Sequence, residues 1–312
     1  MLRPLSYSIV VALVLGLVAS AHAQANRAWV SGKGTDAAGC GAPISPCRSF
    51  QYVHDNIIAD GGEIDVLDGA GYGAVTITKA ISIVNDGAGT AGVQASSGSA
   101  ITINASGVVT LRGLNIDGLG TASYGVQFYS GDGLTIVNCV IRHFSAAGVD
   151  FELDQSAAKL LISNAIVTDN GYGVKILSTG ASASTLIEGT LDHVTASDNG
   201  RDGVNVTGSP GEAQVAISNS VMSGNGGNGV NVYGSQQTIV SIDSSQMNNN
   251  NNSSYGVYAN SSAVVLLRNN MIMNNSTGVG AVSPYVASYS NNAINYNNNT
   301  DIQGTITSLP PR

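Results

Sequence analysis

Three residues able to do chemistry fall at matching places in a repeated frame: His143, Asp169 and Asp198. They sit in Arg142-His-Phe144, Thr168-Asp-Asn170 and Ser197-Asp-Asn199, with Arg201 and Asp202 just behind the third. Carboxylates stacked about 5 Å apart on neighbouring strands raise one another's pKa. That suits general acid–base catalysis, and the same oxygens could hold a calcium ion. The competing reading is structural. Asp-Asn-Gly is a corner sequence, and turns select Asp and Asn without any chemistry.

A second set lies between these positions. Asp150, Glu152 and Asp154 alternate with Phe151 and Leu153, so the three carboxylates should leave the strand on its outer side. Gln127 and Tyr129 stand one repeat earlier and Lys175 one repeat later, followed by Asn205, Asn231, Tyr233 and Tyr258. Polar groups interleaved with aromatic faces can hold a sugar chain, which makes Tyr129, Asp150, Glu152 and Lys175 the candidate substrate-binding residues. The plainer alternative is a solvated sheet face on which Lys175 offsets an acidic stripe. His193 replaces an Asn of the frame and reads as a hydrogen-bonding substitute. With His54 in a helical segment and His22 in the leader, histidine gives little support for a nucleophile triad.

The elements that must position these residues are repeats. Gly-Val pairs open at residues 125, 148, 173, 203, 229, 256 and 278, with spacings of 23, 25, 30, 26, 27 and 22. That period fits one turn of a parallel β-helix. After each pair the apolar residues alternate: Val126 and Phe128, Val149 and Phe151, Val174 and Ile176, Val204 and Val206, Val230 and Val232. They should point inward and stack in columns, in a rod on the order of 40–50 Å long. Two polar columns follow from the same spacing. The first is Asn138, Asn164, His193, Asn219, Ser244 and Asn269; the second is Phe144, Asn170, Asn199, Asn225, Asn250 and Asn275. Asn tolerates left-handed corners, and stacked amides can bond between turns.

Ahead of the repeats, Ser45-Pro46 carries a helix-start signal, Phe50, Val53 and Ile57 share one helical face, and Gly61-Gly62 should stop it. A helix there would cover the open first turn, whose unpaired backbone otherwise invites edge association. Strands are expected at Glu63–Leu67, Val75–Thr78 and Ile81–Val84. Met1–Ala23 has the charged start, apolar run and Ala21-His-Ala23 cleavage pattern of a secretory leader, and no other apolar run could span a membrane. The boundaries are then 1–23 leader, 24–62 cap, 63–303 β-helix and 304–312 tail.

Net charge is −8 with 12 scattered basic residues, which argues against nucleic acid. Secretion or periplasmic export would let Cys40 and Cys47 form a disulfide, while Cys139 reads as a buried thiol. No Cys/His spacing supports zinc.

The head, with Trp29-Val-Ser, Gly34-Thr-Asp36, Ser45-Pro-Cys-Arg-Ser-Phe50 and Ile64-Asp-Val-Leu-Asp-Gly69, together with the Asn and Gly-Val coils, resembles the right-handed parallel β-helix proteins of the pectin lyase-like superfamily. The resemblance implies an all-β, single-stranded right-handed solenoid with an N-terminal capping helix. It does not choose a function, because that superfamily includes pectate lyases, polygalacturonases, alginate-modifying enzymes, phage tailspikes and adhesins. The Asp-Asp pair and Gly-His-Gly of polygalacturonases are absent, and Leu191-Asp-His193 shares only Asp-His with the pectate lyase segment. The expected function is therefore a non-catalytic or degenerate β-helix contacting polysaccharide or a cell-surface partner, with no cofactor required. The alternative is a lyase or glycoside hydrolase acting on an acidic polysaccharide.

Overall fold

Strands with period-two apolar residues bury one side each, and stacking them in parallel buries that side against the coils before and after. The computed structural model, which describes residues 24–153, 157–179, 185–234 and 238–310, shows three rows of such strands. The first face includes Val75–Ile77, Ser99–Asn104, Tyr124–Ser130, Ala147–Leu153, Tyr172–Ser178, Val204–Gly208, Val230–Gly234 and Tyr255–Ser261. The second includes Ile58–Val66, Val108–Arg112, Gly133–Val137, Ala158–Ser163, Leu186–Asp192, Glu212–Ser218 and Thr238–Asp243. The third is made of short pieces such as Leu114–Asp117, Val140–Arg142 and Ile166–Thr168, and narrows to single bridges at Thr195, Val221 and Gln246. Each coil supplies one strand to each row, so a single chain builds the whole solenoid.

Register confirms the frame. Val126, Val149, Val174, Val204, Val230, Val257 and Val279 stand in one column, and all are fully buried. Phe128 stacks on Phe151 with ring centroids 4.2 Å apart. Each fully buried aliphatic contributes roughly 1.5–3 kcal/mol.

The second polar column is an asparagine ladder. The Oδ1 of Asn199, Asn225, Asn250 and Asn275 each accepts from the preceding Asn's backbone N–H and from its Nδ2, at 3.0–3.2 Å. Asn297 extends the ladder beyond the expected end. The ladder also explains the Gly of each Gly-Val pair. A Cβ at Gly173 would collide with the Gly203 carbonyl and the Asn199 amide.

The first polar column is not a ladder. Asn138, Asn164, His193, Asn219, Ser244 and Asn269 are exposed corners with φ between 50° and 55°. The residue after each one turns inward instead. There Ser220, Ser245, Asn270 and Asn292 form a shorter ladder through Ser220 Oγ, Ser245 Oγ, Asn270 Oδ1 and Asn292 Oδ1.

The cap differs from the expectation at its start and stop. The helix is Phe50–Asn56 with Ser49 as N-cap, and Gly61-Gly62 lies inside the strand Ile58–Val66. Ser45-Pro46 instead closes a tight loop, because Cys47 is bonded to Cys40 and pairs with Val30. Phe50 and Val53 are buried as expected, while Ile57 is half-buried. Two side chains of the helix also pair the edge of the first face. Gln51 Oε1 accepts from Thr76 N–H at 2.7 Å, and His54 Nε2 accepts from Thr78 N–H at 3.0 Å.

Ala25–Val30 pairs in parallel with Ile58–Val66, and Thr300–Leu309 pairs in parallel with Thr277–Tyr289, each with one shift of register. The leader Met1–Ala23 lies outside the described residues. No helix among the described residues is long and apolar enough to cross a membrane.

Candidate functional site

The structure places His143, Asp169 and Asp198 in one column, and the backbone there explains their types. Their φ values are 63°, 54° and 55°, continued by Gly224, Asn249 and Asn274 at 70°, 55° and 56°. Every member is a left-handed corner immediately before the ladder residue, where Gly is free and Asp, Asn and His are the enriched side-chain types.

His143 faces away from the two aspartates. Its Nδ1 lies 3.0 Å from Asp117 Oδ1, and Arg142 Nε donates to Asp117 Oδ2 at 3.0 Å. Burial would raise the Asp117 pKa, but bonds from the Leu119 backbone N–H, His143 and Arg142 outweigh it and hold the carboxyl below its ordinary range.

Asp169 and Asp198 are exposed. They supply two carboxylates where calcium takes six to eight oxygens. Among the described residues the one group of three or more metal-capable side chains is Asp36, Cys40 and Cys47, whose sulfurs are already bonded to each other. Asp202 is structural: its carboxylate accepts from Asn228 N–H and from the side-chain amides of Asn205 and Asn231. His193 pairs with Asp192, which also accepts from Ser218 and Asn219.

The outer stripe of the first face is assembled differently. Parallel register sets Gln127, Asp150, Lys175, Asn205, Asn231 and Tyr258 side by side on successive coils. Tyr129 is exposed and Glu152 half-buried on the same side, while Asp154 lies outside the described residues.

Asp150 departs from the expectation of a solvated carboxylate. It is only 1% exposed. Lys175 Nζ pairs with its Oδ1 at 3.1 Å, and among the described residues no other group partners that oxygen. A buried carboxylate left in that state is costly. Burial alone would lower the Lys175 pKa. The Asp150 charge, reinforced by Glu152, outweighs it and raises the ammonium above its ordinary value. Burial pushes the Tyr129 phenol up, with Asp150 and Glu152 adding to the shift.

Beside this pair lies a cavity of about 280 Å³ lined by Tyr124, Ser145, Ala146, Ala147, Tyr172, Lys175 and Arg201. Tyr124, Ala147 and Tyr172 stand in one register column. Arg201 lies over the Tyr172 ring, 5.2 Å from its centroid, and donates to its hydroxyl at 3.3 Å. The sequence reading missed both tyrosines. The visible signal was an aromatic immediately before a Gly-Val pair, in Tyr124-Gly-Val and Tyr172-Gly-Val.

Residues 35–189 match the family model described as "Right handed beta helix region". The chain has the right-handed parallel β-helix fold. No curated protein sequence matches it. Among solved structures, this β-helix is similar to a rhamnogalacturonan lyase, with TM-score 0.57 and 12% identity over 90% of this chain and 84% of that one. It is also similar to the A-module of the Azotobacter vinelandii mannuronan C-5 epimerase AlgE4, with TM-score 0.52 and 16% identity over 80% and 86%. The pectate lyase Pel9A gives TM-score 0.51 and 13% identity over 93% and 75%. At these identities the β-helix shares their fold, and the function must be argued from the site.

Proposed function

We propose that the first face of this β-helix binds a polysaccharide chain, outside the cytoplasm, without turning it over. The observation that carries the reading is Lys175, an ammonium partly exposed on the outer stripe and paired at 3.1 Å with the buried carboxylate of Asp150. Asp150 itself lies out of a ligand's reach, and the charge it holds in place on Lys175 is the natural partner for an anionic group of a ligand. Tyr129 and Glu152 beside it add a surface for a sugar face and a further acceptor. Lys175, held protonated, suits pairing with an anion better than accepting a proton, which favours binding of acidic chains over catalysis by this residue. The Cys40–Cys47 disulfide supports an oxidising compartment. Three neighbours of this fold carry names of polysaccharide-acting enzymes, which supports the ligand class. The reading needs no cofactor, and calcium enters the test as a variable.

A second reading is turnover of an acidic polysaccharide, favoured by the cavity that sets Tyr124, Tyr172, Lys175 and Arg201 beside Asp150. One experiment separates the two. The purified protein is incubated with neutral and uronate-containing polysaccharides, with and without calcium. Binding, absorbance of unsaturated ends and new reducing ends are followed together. The binding reading expects affinity without product, weakened about tenfold or more by Tyr129→Ala or Glu152→Ala. Product formation abolished by Lys175→Gln would establish the second reading. Product lost in Asp169→Ala or Asp198→Ala would instead return the chemistry to the corner column.

A further inference from the structure

The cavity beside Lys175 has walls in the direction a chain lying along the rod would have to take. Tyr124 closes it on the N-terminal side, and Tyr172 with Arg201 closes it on the C-terminal side. The two tyrosines are two coils apart, about 9–10 Å from the spacing of parallel strands. One sugar ring in contact with both walls, at about 3.5–4.0 Å from each, takes up about 7–8 Å of that gap. A second residue along the rod axis has no room. The volume, about 280 Å³, falls just below the range of pockets for drug-sized ligands.

Arg201 supports a ligand role for this wall. Arg27, Arg112, Arg142 and Arg268 are each paired with an aspartate. Among the described residues Arg48 and Arg201 have no such carboxylate partner and each lies over a tyrosine ring, but only Arg201 stands at this cavity, on Tyr172 with donors left over. An arginine laid on an aromatic ring is pre-organised for a planar anion.

We propose that this cavity seats a single terminal or branch residue of a glycan, standing out from the rod between Tyr124 and Tyr172, with any acidic group on it turned to Arg201 and Lys175. The proposal rests on the polysaccharide-binding reading and gives it a polarity. The rod reads chain ends or branches at this point, while the outer stripe beyond contacts the rest of the chain.

Calorimetry with short and long oligogalacturonides, a sulfated series and a neutral xylan series, each with free and blocked non-reducing ends, tests it. The expected result is a stoichiometry that counts free ends and does not grow with chain length. Ser145→Trp, an exposed position at the cavity rim, is expected to weaken binding at least tenfold. Tyr172→Ala, which opens one wall, is expected to let internal residues bind, so that stoichiometry begins to scale with length. The carboxylated and sulfated series distinguish the two sources of the anion. Stoichiometry that grows with length in the unmodified protein, still lost in Tyr129→Ala, would overturn the cavity proposal and leave polysaccharide binding standing. Absence of binding to every series would overturn both.

Discussion

Asp198 and Asn199 are adjacent, yet they carry different constraints. Asn199 is 1% exposed and bonds to both neighbouring coils, whereas Asp198 needs only a backbone that tolerates positive φ. Asn199→Ala should cost about 3 kcal/mol, because it strands buried donors on Asn170. Asp198→Gly should stay within about 0.5 kcal/mol. Urea unfolding of the two variants measures the contrast, and equal effects would mean the corner is more than a corner.

Asp192 gives a pH prediction. Hydrogen bonds from Asn219, Ser218 and His193 lower its pKa to about 2. A depressed carboxyl contributes stability that is complete above its unfolded value, near 3.9, and is lost as pH falls through its folded value. Asp117 and Asp243 are lowered in the same direction. The urea midpoint should therefore fall between about pH 4 and pH 2, and Asp192→Asn should flatten that fall.

Lys175 and Asp150 belong together. Lys175→Met should cost about 3–5 kcal/mol by leaving a buried carboxylate uncompensated. The double variant with Asp150→Asn should recover most of it, as a double-mutant cycle would read.

At the scale of elements, the cap shows why the sequence was only partly legible. Ser45-Pro46 carries a helix-start signal, yet the helix begins after Ser49. The choice was made by Cys47, which the disulfide and its pairing with Val30 hold in extended backbone. Removing that link with Cys40→Ser and Cys47→Ser should cost about 2.5 kcal/mol from loop entropy, read as a fall in the thermal midpoint. His54→Ala should leave the Thr78 N–H without its partner and speed its hydrogen exchange. The polar columns were legible in spacing but ambiguous by one residue. Asn138-Cys139 and Asn164-Ala165 held the clue: the apolar residue after each Asn turns inward, so the Asn itself is the corner. Alternation placed Asp150 on the outer side correctly. Its burial depends on side chains from other coils, which spacing along one strand cannot register.

The whole molecule is a one-dimensional stack, so its coils should open in order from the less protected end. Aromatic contacts such as Phe128–Phe151 strengthen the middle, and the helix covers the start. The final strand Thr300–Leu309 pairs on the side of Thr277–Tyr289, and most of its residues are exposed. Its amides should exchange first and those of the Asn199–Asn225 region last. Hydrogen exchange followed by mass spectrometry tests this order, and uniform protection along the rod would contradict it.

The ladder also bears on chemical ageing. Asn170-Gly171, Asn199-Gly200 and Asn225-Gly226 are the dipeptide type most prone to deamidation, in which the Gly nitrogen attacks the Asn side-chain carbonyl. Here each of those glycine nitrogens donates to the preceding coil, and each of those carbonyl oxygens accepts from it. Nucleophile and target are both occupied, so the reaction waits for a coil to open. The slow appearance of acidic species on isoelectric focusing should therefore work as a clock for local unfolding in the stack, running faster in any variant that loosens a neighbouring coil.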